Sequence, residues 1–378
     1  MSDVTTSTAF VRSVLTEAKA PPKSIVGPWA WARGHLFGSV FDALLTAFGL
    51  FLIGWMVWQV LDFAVLRAVW SAENGEACRP EGVGACWPYV GAYWKQFVYG
   101  RYPEPERWRA TLVFLIFAAT LIPLAIPKLP HKRLNALAFF VGMPIASFFL
   151  LAGGVFGLEP VETTLWGGLL VTLIVSVVGI VCSLPLGILL ALGRRSKLPI
   201  IRMICIVTIE FWRGVPLITV LFMASNMLPL FMPAGMEVDK LLRALIGVAI
   251  FTSAYLAETI RGGLQAIPKG QYEGAMALGL GYWQMMGLIV MPQALKMVIP
   301  GIVNSFISLF KDTTLVLIVS IFDLLGMIQA SLADPLWISP VTGKTGYLVA
   351  AIVFWVFCFG MSRYSQWMER RLATGHKR

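Results

Sequence analysis

Residues 259–296 read TIRGGLQAIPKGQYEGAMALGLGYWQMMGLIVMPQALK. An uncharged stretch, 244–257, leads into this segment and another, 297–322, follows it, interrupted only by Lys311 and Asp312. A connector of this length is long for two helices of a bundle. Pro268 is placed to stop the incoming helix and start a short new one, and Gly279 to end it. The piece between them, GQYEGAMAL, carries small side chains that let another protein approach closely. A short helix set off by a break on each side suits docking into a cleft of a cytosolic partner. Its apolar flanks read as membrane spans.

The composition agrees. The chain has 378 residues, 58% hydrophobic and 13% charged, with a mean hydropathy of +0.76. Soluble domains carry about 45–50% apolar and about 25% charged residues, and burial in a few hundred residues cannot absorb the excess. A soluble enzyme, a disordered chain and a disulfide-rich secreted module are excluded. A crossing needs about 20 apolar residues. Four uncharged runs are clear spans, at 43–61, 110–127, 134–158 and 165–193; four less clean ones lie at 203–232, 244–257, 297–322 and 346–362. The runs are continuous rather than alternating, which selects helices over a barrel. The fold expected is an all-α polytopic membrane protein of about eight transmembrane helices.

Eight crossings put both termini on one side. Of the 30 Lys and Arg residues, 19 fall on the side of the N-terminus and 9 on the other, with Arg213 and Lys311 inside spans. The net charge of +10 therefore follows membrane sidedness, and both termini are expected in the cytoplasm. Residues 1–42 read as a cytoplasmic tail, mobile as far as Trp29 and Trp31, which suit an interfacial anchor. No cleavable signal peptide is visible, because the first apolar run follows a polar tail and is long enough to span.

Cys182, Cys205 and Cys358 lie in spans and read as small buried apolar residues. Cys78 and Cys86 lie in the outside loop 67–109; if that face is a periplasm it is oxidising, and a disulfide and two free thiols both stay open. His35, His131 and His376 are isolated, which suggests neither a metal site nor a histidine-assisted nucleophile. The fragment GKT at 343–345 lacks the upstream glycine of a phosphate loop, since Ile338 stands there. The chain is expected to bind no cofactor and no nucleic acid.

Residues 43–158 read as a three-helix membrane region suited to packing, and 165–372 as the part that moves something, because its spans carry charges. Polar groups inside a bilayer are costly and usually face a partner or a watered path. Glu210 and Arg213 are three residues apart and share a helical face, as do Glu258 and Arg261; both read as structural or gating pairs. Pro216 loosens the helix after the first pair. At about 100° per residue, Asn304, Ser305, Ser308, Lys311 and Asp312 fall within an arc of about 120°. With Lys311 and Asp312 midway along 297–322, this stripe reads as a substrate path, with helix–helix adhesion as its competitor.

The segment 262–292 resembles the signature of ATP-binding-cassette (ABC) importer permeases: Glu-Ala-Ala, three residues, Gly, nine residues, Ile, one residue, Leu-Pro. Here Glu273-Gly274-Ala275, Gly279, Ile289 and Met291-Pro292 keep every spacing, with Gly274 and Met291 as departures. FWRGVPL, IRGGLQAIPKGQ, GYWQ, MPQALK and SLFKDTTLV are similar to the polar amino acid branch of that family. The layout with Cys78 and Cys86 resembles the larger permease subunit of general L-amino-acid importers of Gram-negative bacteria.

The resemblance implies a five-helix permease core at 165–372 with three additional N-terminal helices, in the inner membrane. It implies as partners a second, related permease subunit, two cytosolic ATP-binding subunits that use the ATP, and a periplasmic amino-acid-binding protein. The chain itself would be no enzyme. ATP-driven closure of the ATPases would pass through Glu273–Leu278 to the spans, and Asp312 with Asn304, Ser305 and Ser308 would meet the zwitterionic substrate. The main rival is an ion-coupled secondary transporter using Asp312 or Glu210, which has no need of the docking segment. A membrane-embedded enzyme and a structural scaffold fit less well.

Overall fold

The computed structural model describes residues 27–126, 129–233, 235 and 237–372. The start of the tail, with Pro21 and Pro22, and His376 lie outside the described residues. Those residues are helical throughout apart from turns and three isolated bridges. Seven helices are long and apolar enough to cross a membrane, or eight if one bent pair counts as a span.

The chain divides into two compact units, Met1–Arg67 and Ala68–Arg378. The first holds α1 (Pro28–Leu36) and α2 (Val40–Leu61). Trp29 and Trp31 lie exposed on α1, which makes the end of the tail helical. Ser39 caps α2 by accepting from the Asp42 N–H at 3.1 Å, and a π-helical turn, Asp62–Leu66, extends it. No residue of α2 is buried within the protein. The boundary at Arg67 falls within the stretch read as three N-terminal helices, and only the later two belong to the larger unit.

In the second unit the segment expected as an outside loop carries structure of its own. Cys78 and Cys86 are joined by a disulfide, Cα atoms 5.8 Å apart, ahead of α3 (Trp87–Tyr99). Then come α4 (Arg107–Ala125), α5 (Lys132–Leu137) and α6 (Met143–Ala152), the last two forming one span through a π turn. The buried Arg109 on α4 donates to the Glu159 carbonyl at 2.8 Å and pairs with Glu106 at 2.6 Å, fixing the connector after α6.

The remaining elements are α7 (Gly168–Arg194), α8 (Pro199–Gly214), α9 (Leu217–Phe222), α10 (Lys240–Ala266), α11 (Lys269–Ala277), α12 (Tyr282–Met285), α13 (Met291–Asp312), α14 (Leu324–Ser331) and α15 (Thr342–Leu372). The central pair is α7 with α10. A Cβ on Gly187 would lie 2.8 Å from Leu256 Cβ and 3.1 Å from the Ser253 carbonyl, so glycine is what lets these helices approach. One apolar core gathers the first halves of α7 and α10 with α4, α6 and α9, and a second gathers the far ends of α7 and α10 with α11 and the start of α13. At the first end α3 is stitched down. The Tyr89 hydroxyl shares a 2.6 Å hydrogen bond with Ser331, and the Cys86 N–H donates to Thr345 at 3.0 Å.

Three of the spans that differ from the sequence expectation bear on the site. The fifth is bent by 104° between α8 and Leu217–Phe231, because Val215 is extended ahead of Pro216, as the residue before a proline must be. The sixth extends past its uncharged stretch at both ends, with Asp239 capping α10 at 2.9 Å and Glu258 and Arg261 satisfying one another. The seventh is helical from Tyr282 to Val319. Pro292 forbids an ordinary turn behind it, and the chain passes through a π-helical turn, Met286–Val290. Lys311 and Asp312 sit at the C-terminal end of α13, where it tightens into a 3-10 helix.

Candidate coupling and transport site

The α10–α13 connector is built as its backbone exceptions dictate. Ile267 is extended, Pro268 precedes α11, and α11 runs nine residues. Its end is a Schellman motif: the Gly279 N–H donates to the Met276 carbonyl at 2.9 Å and the Leu280 N–H to the Ala275 carbonyl at 3.2 Å. Gly279 has φ +73° with open space around it. Of the signature residues, Glu273, Gly274, Gly279 and Pro292 are exposed, Ile289 is half-buried, and Ala275 is buried. Ala275 seats the helix on the bundle, and Met276 (58% exposed), Leu278 (77%) and nearby Trp283 (71%) face away from it. Three large apolar groups on and beside the helix thus stay exposed.

Side chains that the sequence reading did not single out hold α11 in place. Arg195, just past the end of α7, donates to the Leu264 carbonyl at 2.8 Å and to the Tyr272 hydroxyl at 3.1 Å. Gln293 of α13 donates to Gln271 of α11 at 3.0 Å. Beside Arg195, Arg194 lies 2.8 Å from Glu210 and 3.3 Å from Glu258. Arg261 grips Glu258 through its Nε at 2.9 and 3.0 Å, and Arg213 stands 3.8 Å from Glu210. The two pairs expected from i,i+3 spacing are thus parts of one five-residue network joining α7, α8 and α10, with Arg194 at its centre. The signal available for Arg194 was its place in a basic run, which reads equally as a cytoplasmic anchor.

On α13, Asn304, Ser308 and Lys311 are exposed, while Ser305 and Asp312 are half-buried. Ser305 donates to the Gly301 carbonyl at 3.1 Å. The opposite face is packed: Phe310 meets Phe354 and Phe357 at ring centroids 5.2 and 5.1 Å apart. Among the described residues neither Lys311 nor Asp312 forms an ion pair. The stripe is therefore a polar face left open along a helix packed on its other side. No group of three His, Cys, Asp or Glu residues able to hold a metal occurs among the described residues.

Residues 183–374 match the family model described as binding-protein-dependent transport system inner membrane component. The chain is 51% identical over 351 residues to the inner membrane amino-acid ABC transporter permease protein YhdY of Escherichia coli, covering 91% of this chain and 93% of that protein. It is 39% identical over 437 residues to the glutamate/glutamine/aspartate/asparagine transport system permease protein BztC of Rhodobacter capsulatus, covering 98% and 99%. Among solved structures it is similar to an amino acid ABC transporter crystallised with histidines, at 29% identity and a TM-score of 0.46, covering 54% of this chain and 92% of that one. The match begins within α7 and takes in α11, the ion-pair network and the α13 stripe. This chain belongs to the family of binding-protein-dependent transport system inner membrane components.

Proposed function

We propose that the chain is the permease subunit of an ATP-driven importer of L-amino acids, working with a related second permease, two cytosolic ATP-binding subunits and a periplasmic binding protein. The observation that carries this reading is α11: an exposed helix, apolar at Met276 and Leu278, tied through Arg195 and Gln293 to the ends of α7, α10 and α13. A push on it reaches the central helix pair without crossing a flexible link. The names of the two relatives support amino acids as cargo. The Cys78–Cys86 disulfide lies with α3 at the end of the bundle away from α11, which supports a periplasmic α3 and cytoplasmic termini.

Alternating access is the mechanism that this reading entails. ATP-driven closure of the partners moves α11, and the network around Arg194 holds α7, α8 and α10 together through the movement. The open face of α13 borders the path, with Asp312 as acceptor for the substrate ammonium and Asn304 and Ser308 as donors to its carboxylate. An ion-coupled transporter gives α11 no task. The test is reconstitution of the four-component complex in vesicles: radiolabelled amino acid should enter only with ATP and binding protein. Uptake driven by an ion gradient with the ATPases omitted would overturn the assignment.

A further inference from the structure

A cavity of about 560 Å³ lies between α4, α6, α7 and α10, apart from the coupling segment, the ion-pair network and the α13 stripe. Its size is that of a ligand site, and its walls are almost entirely carbon, from Phe114, Phe117, Leu151, Leu173 and Val177 among others. Most polar groups on the lining come from the connectors ahead of α7 and α10. There Thr163 donates to Asp239 and Thr164 donates to Glu162, so these four largely satisfy one another. Two further polar atoms on the lining have no hydrogen-bond partner: Ser147 Oγ, in a residue 7% exposed, and Trp166 Nε1, in a residue 5% exposed. Phe148 and Leu242, also on the lining, are 59% and 49% exposed, so the cavity opens sideways through apolar side chains. A lining this poor in polar groups does not hold a column of water, and each buried donor without a partner calls for an acceptor.

An amino acid does not fit, because walls almost entirely of carbon would strip water from both of its charged groups. We propose that this cavity binds a bilayer phospholipid with an ammonium-bearing headgroup. One acyl chain fills the carbon-lined volume after entering past Phe148 and Leu242. The two ester carbonyls are the acceptors that Ser147 and Trp166 lack. The ammonium lies toward Glu162 and Asp239, which disfavour an anionic headgroup and the carboxylate of a free fatty acid. The lipid so placed joins α4 and α6, which lie outside the matched domain, to α7 and α10 at its centre.

The test is native mass spectrometry of the transporter complex, stripped of lipid in detergent and returned to palmitoyl-oleoyl phosphatidylethanolamine. The wild type should retain one more lipid per copy of this chain than Leu173→Trp or Ser147→Phe, which fill the cavity from α7 and from α6. Trp166→Phe, which keeps most of the volume and removes the donor, should retain it several-fold less well. Phosphatidylglycerol with the same chains should be held at least tenfold more weakly, and palmitate should not be held. Equal lipid counts in wild type and filled variants would overturn the site, and equal retention of phosphatidylglycerol or palmitate would overturn the headgroup assignment. Independently of any variant, phosphatidylethanolamine with a brominated chain should give bromine scattering between α4, α6, α7 and α10, and bromine found only elsewhere would overturn the proposal.

Discussion

Arg195 donates to the Tyr272 hydroxyl at 3.1 Å, and Tyr272 donates to the same Leu264 carbonyl, at 3.2 Å, that Arg195 also reaches. This triangle closes the end of α7 onto α10 and α11. It answers a local shortage, because α11 buries only Ala275 and a nine-residue helix has little stability of its own. Tyr272→Phe removes one acceptor and one donor and keeps the ring. At about 1 kcal/mol net per hydrogen bond, the α11 amides should exchange with solvent about fivefold or more faster, with the α10 amides unchanged. Mass-resolved hydrogen exchange on the purified complex checks this, and unchanged protection of 269–277 would show that partner contacts alone hold the helix.

At Gly279 the backbone, and not the space, is the constraint. Its φ of +73° lies in the left-handed region and no atom would meet an added Cβ within 4 Å. A side chain there costs about 1 kcal/mol, least for Asn and most for a β-branched residue. Gly279→Asn should keep ATP hydrolysis coupled to uptake, Gly279→Ala should weaken the coupling, and Gly279→Val should separate the two while membrane insertion persists. The ratio of ATP hydrolysed to amino acid imported in vesicles reports the order. A ratio that ignored side-chain shape would mean that the Schellman end does not aim the helix.

Asp323 supplies a pH dependence with a definite sign. It is fully buried ahead of α14 and accepts from the Gly326 N–H at 2.9 Å, while its second oxygen has no partner. Burial pushes its carboxyl up from 3.8 to about 6, against the backbone hydrogen bonds that pull it down. The folded state therefore holds a proton that the unfolded state gives up, so this contribution is greatest below about pH 4 and is lost as pH rises toward 6. Its size is on the order of 2–3 kcal/mol. Asp323→Asn keeps the acceptor for Gly326 and removes the titration. The difference in melting temperature between wild type and variant should change across pH 4–6 and level off above it. A difference that stayed constant would show that the carboxyl does not titrate in this window.

The features legible in the sequence were those a residue imposes on its own backbone. Pro268 and Gly279 marked the limits of α11 because one lacks an N–H and the other tolerates positive φ. Pro216 marked a break, but the 104° bend depends on where Leu217, Val220 and Leu221 find a core to enter. Arg194 was out of reach for a different reason: its carboxylate partners arrive on two other helices, and spacing rules reach only three or four residues. Lys311 was placed midway along 297–322, whereas the helix that carries it starts at Tyr282, so along the helix it lies nearer the C-terminal end. No single helix carries the sign of the cavity, whose walls come from four.

The charged end of α13 sets two roles for Asp312 against each other. Had it served to neutralise Lys311, the two would be expected to meet, yet among the described residues neither forms an ion pair. Asp312 is half-buried and Lys311 exposed on the same open face as Asn304 and Ser308. Against lipid, each charge would cost on the order of 2.5–3.5 kcal/mol at mid-bilayer and less toward an interface, so the face needs water, substrate or a partner subunit over it. If Asp312 receives the substrate ammonium, Asp312→Asn should assemble with its partners and lose at least about tenfold in uptake, about 1.4 kcal/mol, with ATP hydrolysis no longer stimulated by loaded binding protein. Lys311→Met should then not rescue it. If Asp312 only balances Lys311, the single variant should assemble poorly, and Lys311→Met with Asp312→Asn together should restore both assembly and uptake. Measuring assembly and uptake across the two single variants and the double variant separates the cases, and a rescued double variant would remove Asp312 from the transport path.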